Sequence, residues 1–321
     1  MKALILINEL APDAKPDELD VLDQAQIVEE TLHEIGYETA RVFMGLNLEK
    51  ARTEIRSINP DVAFNLFEGI KGNADLIHLG SALLKSMKIP YAGCSVDSIF
   101  ITANKVLTKK MLRTYGIPTA DWFMPDKMHQ LNSAKKYILK PLLEDASVGI
   151  SAKGIINGYH KDIVDGFQQQ FGLNFFAEEF IDGREFNISV TSTPNGPRML
   201  PPAEMQFIDF PPDKPKIMDY TAKWLEDTFE YENTSRTFEM ASEDKKLIEQ
   251  IEAIVLKCWE VFELRGYARV DFRVDGNGNP FVLEVNANPC ITEGSGFHAA
   301  TQQAGIPFTE AMKNIMNDLN L

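Results

Sequence analysis

The sequence predicts an α/β protein in three parts: a doubly wound parallel sheet over residues 1–100, a central α+β section over 101–186, and an antiparallel α+β section over 187–321. Three observations predict it. Through residue 87, short apolar runs alternate with helix-length amphipathic stretches, the pattern of parallel βαβ units. Beyond residue 100 that regular alternation stops. From Glu185 on, strand-like runs succeed one another with turn residues between them, the pattern of antiparallel pairing.

Residues 3–8 form a continuous apolar run and read as a buried strand, succeeded by a polar helix over 17–35. Strands over 39–44 and 61–67 alternate with helices over 48–58 and 74–87, the last closed by Ile89-Pro90. A helix over 102–115 stops at Gly116, with Pro118 beyond it. Strands are expected over 136–140, 150–156 and 174–180, with a helix over 161–171. The last section carries strands over 186–193, 199–207, 267–274 and 281–286, and a helix over 243–264. Between them, Pro211-Pro212 and Pro215 are too constrained for a core strand, so residues 208–222 read as a surface loop and a candidate lid.

Composition narrows the function classes. The chain is 44% hydrophobic and 25% charged, ordinary for a globular protein. No apolar run approaches the ~18 residues that span a bilayer. Cys94, Cys258 and Cys290 are an odd number without metal-type spacing, so a reducing cytoplasm is expected rather than a disulfide framework. Forty-seven acidic residues against 32 basic give a net charge of −15, and no Lys/Arg run exceeds two. Neither a nucleic acid nor an anionic membrane is therefore an expected partner.

The densest constellation is a hairpin. Residues 269–274 read Arg-Val-Asp-Phe-Arg-Val, and residues 281–286 read Phe-Val-Leu-Glu-Val-Asn. Asp275-Gly276-Asn277-Gly278 is the turn between them. Strand alternation points residues 270, 272, 274, 281, 283 and 285 to a core, and Arg269, Asp271, Glu284 and Asn286 to the other face. Pairing centred on the turn sets Asp271 opposite Glu284 and Arg269 opposite Asn286. Like charges facing each other at ~5 Å destabilise a sheet, so the pair needs a reason. A hard divalent cation supplies one, because Asp271, Glu284 and the Asn286 amide are all oxygen ligands. Neutralisation by Arg269 or Arg273 supplies another.

No GxxxxGK[ST] and no GxGxxG is present. A strand instead ends in Lys140-Pro141 and leads to Ala146, Ser147, Val148 and Gly149, small enough for backbone N–H groups to approach an anion. Glu178 to Phe186 places several carboxylates around the turn Asp182-Gly183. Lys105 and Lys223, taken singly, read as solvated amphipathic side chains.

Together, the segments around Lys105, Gly116-Ile117-Pro118, Lys140-Pro141, Ser147-Val148-Gly149, Glu178 to Phe186, Tyr220 to Lys223, Arg269 to Phe272, and Glu284-Val285-Asn286 with Pro289 resemble the ATP-grasp enzymes. The resemblance is to the D-alanine–D-alanine ligase family and covers nearly the whole chain. It implies an ATP-grasp fold and a cytoplasmic ligase that joins a carboxylate to an amine through an acyl phosphate, using ATP and two Mg²⁺ ions. Lys105, Lys140 and the Ser147-Val148-Gly149 loop are implied to hold the phosphates. Glu178 and the backbones of Glu179 and Ile181 take the adenine, and Glu185 takes the ribose. Asp271, Glu284 and Asn286 are the implied metal ligands. Arg269, Lys223, Glu18 and Ser147 are the implied catalytic side chains. Glu18, Glu68, Trp224 and Ser295 face the substrates, which are expected to be small amino acids or amines. The resemblance also allows a homodimer.

The chain departs from that pattern around the amino-acid pocket. Glu68 stands where the family carries histidine, and Ala146 where it carries serine. Trp224 stands for tyrosine, and Cys290 for a glycine whose backbone amide serves the oxyanion. A different amide product, or a nucleotide-binding regulator without turnover, are the alternatives that these changes leave open.

Overall fold

The computed structural model describes residues 1–144 and 146–320. The first layer runs β1 (Lys2–Asn8), α1 (Pro16–Glu34), β2 (Glu38–Met44), α2 (Leu48–Ile58), β3 (Val62–Asn65), α3 (His78–Ser86) and β4 (Tyr91–Ala92). Its sheet is parallel, in the order β2-β1-β3-β4. Both faces are covered, as a parallel sheet requires. Leu4 and Leu6 pack with Ala51, Ile55 and Leu84 on one side, and Ile5 and Ile7 pack with Val21 and Val28 on the other.

Two helices then cross to the next layer, α4 (Val96–Ala103) and α5 (Lys105–Thr114). The single helix expected over 102–115 is thus two. Asn104 leaves the helical region at φ −95°, ψ 102°, and its Oδ1 accepts the backbone N–H of Leu107 at 2.9 Å. That cap starts a new helix at Lys105. Lys105 and Lys109 consequently lie one turn apart on one buried face.

The middle sheet contains β5 (Trp122–Phe123), β6 (Lys136–Pro141), β7 (Ile155–Asn157) and β8 (Phe175–Glu179), with α6 (Lys161–Phe171) against it. It is antiparallel in the order β5-β8-β6-β7. The strand expected over 150–156 is mostly a 3₁₀ turn over Ala152–Gly154 that precedes β7. Gly154 packs there against Phe167.

The third sheet is built from β9 (Gly183–Thr191), β10 (Arg198–Met199), β11 (Ala203–Phe207), α7 (Tyr220–Trp224), α8 (Phe229–Glu232), β12 (Thr234–Thr237), α9 (Lys245–Val261), β13 (Tyr267–Asp275) and β14 (Pro280–Asn286). Its order is β12-β11-β9-β13-β14, with β10 on β9, all antiparallel. The strand expected over 199–207 breaks at Pro201-Pro202, which cannot donate to a ladder. Two further helices, α10 (Gly296–Gln303) and α11 (Phe308–Asn317), return to the first sheet. Phe297, Met312 and Ile315 pack with Ile5 and Phe64, and Tyr91 and Asn320 exchange backbone hydrogen bonds of 3.1 and 2.9 Å.

The hairpin register decides where the polar face lies. Arg269 pairs with Asn286, Val270 with Val285 and Asp271 with Glu284, as the turn-centred pairing predicts. A bulge comes after Asp271, and Phe272 then faces Val282 rather than Leu283. The expectation that 281, 283 and 285 share the core face is therefore corrected. Val282 is fully buried beside Phe272, while Phe281 and Leu283 are half-buried on the far side of the phase change. Two backbone groups hold β14 there. The Val282 N–H donates to Pro118 O at 2.9 Å, and Thr119 Oγ1 donates to Val282 O at 2.8 Å.

A buried polar group without a partner costs a few kcal/mol. Val282→Asn should therefore lower the melting temperature far more than Leu283→Asn. Equal losses in thermal denaturation would place both side chains on the same footing and remove the bulge from the account.

Candidate active site

The hairpin brings Asp271 and Glu284 together beside β9, with cations from three other places. Arg269 donates to both Asp271 oxygens at 2.8 Å and lies 3.6 Å from Glu284 Oε1. Lys105, at the start of α5, lies 3.5 Å from Glu284 Oε2 and donates to Glu144 O at 2.6 Å. Burial pushes the Asp271 carboxyl up against the pull of Arg269, and Glu284 pushes it further. Burial also acts on Glu284, but Lys105 and Arg269 outweigh it and hold that carboxyl at about 2. Of the two neutralising arginines the sequence allowed, Arg269 takes the role. Arg273 turns elsewhere.

The donors fit a hard cation. A buried carboxylate, Asp271, touches the half-buried Glu284, and one guanidinium covers only one of them bidentately. Asn286 Oδ1 accepts the Asn288 N–H at 2.9 Å, and a carbonyl oxygen keeps a second lone pair. Among the described residues, no group of three or more His, Cys, Asp and Glu side chains comes together for a metal. Such a cation would thus need ligand oxygens besides these, as Mg²⁺ normally takes.

On the side toward the middle sheet, β6 and β8 set Lys140 and Glu178 at 2.6 Å. The other Glu178 oxygen lies 2.6 Å from Lys109, which also donates to Thr119 Oγ1 at 2.8 Å. Glu178 is 1% exposed and Lys109 0%. Burial alone would lift the Glu178 carboxyl, yet the two ammonium groups hold it below its ordinary value. Burial pulls Lys109 down in turn, so each charge stands because the other is there. Lys109 was legible only as the residue one turn after Lys105.

Arg273, the other candidate neutraliser of the carboxylate pair, is engaged on the opposite side of β13. It is 3% exposed and directly faces Glu185 across the β13–β9 ladder. Its Nη1 donates to Glu185 Oε2 at 3.1 Å and to Lys216 O at 2.9 Å, and its Nε donates to Ile181 O at 3.0 Å. One guanidinium thus ties the 178–185 turn to the Pro-rich segment. Burial raises the Glu185 carboxyl. The Glu179 side chain points away to Lys135 at 2.8 Å, and its N–H is taken by Asp121 O, so only its carbonyl is left to face a ligand.

The small-residue loop is held in an uncommon conformation. Ala146 and Ser147 both have positive φ, at 55° and 64°, and Gly149 lies at 72°. Asp145, which the loop includes, lies outside the described residues. Successive left-handed residues cost energy unless the surroundings impose them, and such strain gathers at ligand clamps. Here two hydrogen bonds impose it. Ser147 Oγ donates to Met218 O at 2.9 Å, and the Trp224 indole N–H donates to Ala146 O at 2.9 Å. The candidate lid is docked on the loop through Met218, and Trp224, two residues beyond the lid, makes the second contact. Lys223, beside Trp224, is desolvated and close to Arg269, and both effects lower its pKa.

The remaining residues lie around α1 and the segment after β14. The Glu18 carboxylate accepts the Lys15 N–H at 3.0 Å and closes the first turn of α1. Asp20, about 200° further round the helix, is the α1 carboxylate that meets Cys290. Asp20 hydrogen-bonds Cys290 and feels Lys223, and burial raises its carboxyl. Gln24, one turn on, donates to Asp20 Oδ2 at 3.0 Å and to Glu68 Oε1 at 2.8 Å. Burial and Asp20 push the Cys290 thiol up to about 12, so it stays protonated and is no nucleophile. Ser295 caps α10, its Oγ accepting the His298 N–H at 3.3 Å.

Residues 111–317 match the family described as D-ala D-ala ligase C-terminus. The chain belongs to this family. It is 26% identical over 299 residues to a D-alanine–D-alanine ligase of Aquifex aeolicus, covering 92% of this chain and 94% of that protein. It is 24% identical over 304 residues to D-alanine–D-alanine ligase B of Mesorhizobium japonicum, with 92% of each chain covered. An uncharacterised protein of Sinorhizobium fredii is also similar, at 26% over 269 residues, 80% of this chain and 74% of that one. In structure, the D-alanine–D-alanine ligase of Bacillus anthracis complexed with ATP superposes with a TM-score of 0.73 at 22% identity, over 99% and 97% of the two chains. D-alanyl-alanine synthetase A of Vibrio cholerae gives 0.75 at 18%, over 99% and 98%. The architecture is that of ATP-grasp proteins.

Ala146 and Trp224 are in direct contact. The indole can only donate, and it donates to a backbone carbonyl that any residue at position 146 offers. A serine hydroxyl at 146 is not needed for that contact.

The buried Lys109–Glu178–Lys140 cluster gives a stability test. Glu178 stands below its ordinary 4.5, so the stability it contributes is present above that pH and lost as pH falls through the folded value. Lys109→Met removes one counter-charge and should cost about 3–5 kcal/mol. Burial then lifts the carboxyl, and acid destabilisation should begin at higher pH. Urea melts from neutral to acid pH check this. Adding Glu178→Gln to Lys109→Met should flatten the pH dependence.

Proposed function

We propose that this chain is an ATP-dependent ligase that joins a carboxylate to an amine through an acyl phosphate. One observation carries the reading: Asp271 and Glu284 meet in register, with Lys105 and Arg269 on them and Lys223 nearby. Phosphoryl transfer needs charge neutralisation and positioning more than covalent help, and this cluster offers both. Asp271, Glu284 and Asn286 would hold Mg²⁺, which when bound neutralises phosphate charge and fixes the phosphate geometry.

ATP would lie between the middle and third sheets. Glu178 is positioned by its two lysines to accept from an adenine amine, and Glu185, fixed by Arg273, to accept from ribose hydroxyls. Lys105, Lys140 and the backbone of Ser147, Val148 and Gly149 would receive the phosphates. A substrate carboxylate oxygen attacks the γ-phosphorus, and the bond to the bridging oxygen of ADP breaks. An amine then attacks the acyl carbon, phosphate leaves with the carboxylate oxygen, and the ammonium formed loses its proton. Arg269 and Lys223 face the charge that develops. The 208–222 segment, docked through Met218, would keep water from the acyl phosphate.

The amino-acid pocket supports a product other than D-alanyl-D-alanine. Asp20 and Glu68, bridged by Gln24, make its α1 end acidic. Trp224 and Cys290 add bulk where the family carries tyrosine and glycine. A larger or more basic donor should therefore do better than D-alanine, because a site built for one polar pattern rejects analogues that leave groups unpaired.

Phosphate release from Mg²⁺-ATP, screened over pairs of D- and L-amino acids, tests both statements. Turnover should require an amino-acid pair, and D-alanine alone should be a poor substrate. Efficient turnover of D-alanine at sub-millimolar KM would restore the plain family substrate. No release with any pair would favour a nucleotide-binding regulator.

Asp271→Asn separates chemistry from stability. It relieves repulsion in the hairpin and removes a ligand oxygen charge. Turnover should fall by at least about 100-fold, far more than the fold is destabilised, because the relieved repulsion with Glu284 offsets part of the weakened Arg269 pair. A parallel loss of both would make Asp271 a structural residue.

A further inference from the structure

Charge compensation differs sharply among the half-buried and buried arginines of the third sheet. Arg184 is held by Glu204 and Asp244, Arg269 by Asp271, and Arg273 by Glu185. Arg236, on the edge strand β12, is the exception. Among the described residues its guanidinium has one hydrogen-bond acceptor, Gly294 O at 3.1 Å, and no carboxylate within ion-pairing distance. Its Nε is buried and has no partner. Its strongest neighbouring charge is Arg269, a like charge, and together with burial this pulls its pKa down. In a chain of net charge −15, a half-buried cation beside another cation, with one donor buried and unpartnered, is an unfavourable arrangement that an anion would complete.

The position of Arg236 says which anion. A Cβ built on Gly296 would lie 3.8 Å from Arg269 Cδ and 3.9 Å from Arg236 Nη2, so both side chains converge over the first residue of α10. Ser295 caps that helix, and Lys223 feels both Arg269 and Cys290. Cys290 stands between this cationic end and the acidic end at Asp20. The pocket is therefore bipolar, acid toward α1 and basic toward α10. A single substrate carboxylate by Ser295 would answer Arg269 and Lys223. It leaves Arg236 unanswered.

We propose that the amine substrate carries a second anionic group, as an acidic amino acid does, and that Arg236 binds it. This rests on the ligase reading given above. The α-carboxylate lies by Ser295, and the side-chain carboxylate lies across the Arg236 guanidinium, using its free donors in a charge-assisted contact. Arg236 is thus a specificity residue for the acceptor, separate from the residues that hold the nucleotide.

Binding tests it without knowledge of the donor. The whole chain is titrated calorimetrically with D- and L-aspartate, D- and L-glutamate, and D- and L-alanine, with and without Mg²⁺ and a non-hydrolysable ATP analogue. At least one acidic amino acid should bind at least about 10-fold more tightly than alanine of the same hand. Arg236→Met should erase that ratio while affinity for the ATP analogue is kept, and Arg236→Lys should retain part of it. Acidic and neutral amino acids binding alike, or a ratio that survives Arg236→Met, would overturn the proposal. Failure of the ATP analogue to bind strikes the ligase reading instead, and the amino-acid ratio measured without nucleotide still decides the role of Arg236.

Discussion

Two like charges forced together in a sheet organise this molecule. Asp271 and Glu284 face each other because the 275–278 turn fixes the register of β13 and β14, and because the core requires Val270 and Val285 on the opposite face. A slip of one residue would bury both carboxylates in the hydrophobic layer and expose the valines. The polar face is thus specified by the apolar one. The repulsion between the carboxylates is met by cations gathered from three elements: Arg269 from the same strand, Lys105 from the capped start of α5, and Lys223 from the short helix α7.

The surrounding layers hold those cations at the pair. Asn104 breaks the chain between α4 and α5 and so starts a helix at Lys105. The same turn sets Lys109 beneath Glu178, so the two sheets share a continuous polar path from Glu178 through Thr119 to β14. Arg273 performs the equivalent task on the other side, joining Glu185, Ile181 and Lys216. The loop at 146–149 keeps its left-handed backbone because Met218 and Trp224 are bonded to it. Positioning, loop conformation and docking of the candidate lid are therefore one network.

The hairpin is legible in the sequence because its signal is local. Alternation plus a Gly-containing turn predicts both the facing pair and the shared face of Arg269 and Asn286. The bulge is not legible, since an extra residue in β14 depends on how Val282 is tied to Pro118 and Thr119, far away in the chain. Tertiary contacts also decide the positions around the pocket. Glu18 and Asp20 are both acidic residues near the start of α1, and only the packing of the helix selects Asp20. Lys109, Arg273 and Arg236 resemble surface charges in sequence. Burial is what gives them roles, and burial is a property of the assembled layers. The return of α10 and α11 to the first sheet is hidden for the same reason, because no local pattern states which sheet an amphipathic helix will cover.

The carboxylate pair, its cations and the loop, together with the residues around Asp20 and Cys290, underlie the proposal of a family member that keeps the nucleotide chemistry and alters what is joined. The most direct test of that account is the binding of Mn²⁺, a paramagnetic stand-in for Mg²⁺, monitored by electron paramagnetic resonance with a non-hydrolysable ATP analogue present. The account predicts that Mn²⁺ binds to the wild-type chain with the nucleotide and that Glu284→Gln weakens it while the protein stays folded. Mn²⁺ binding of equal strength in both proteins would contradict it.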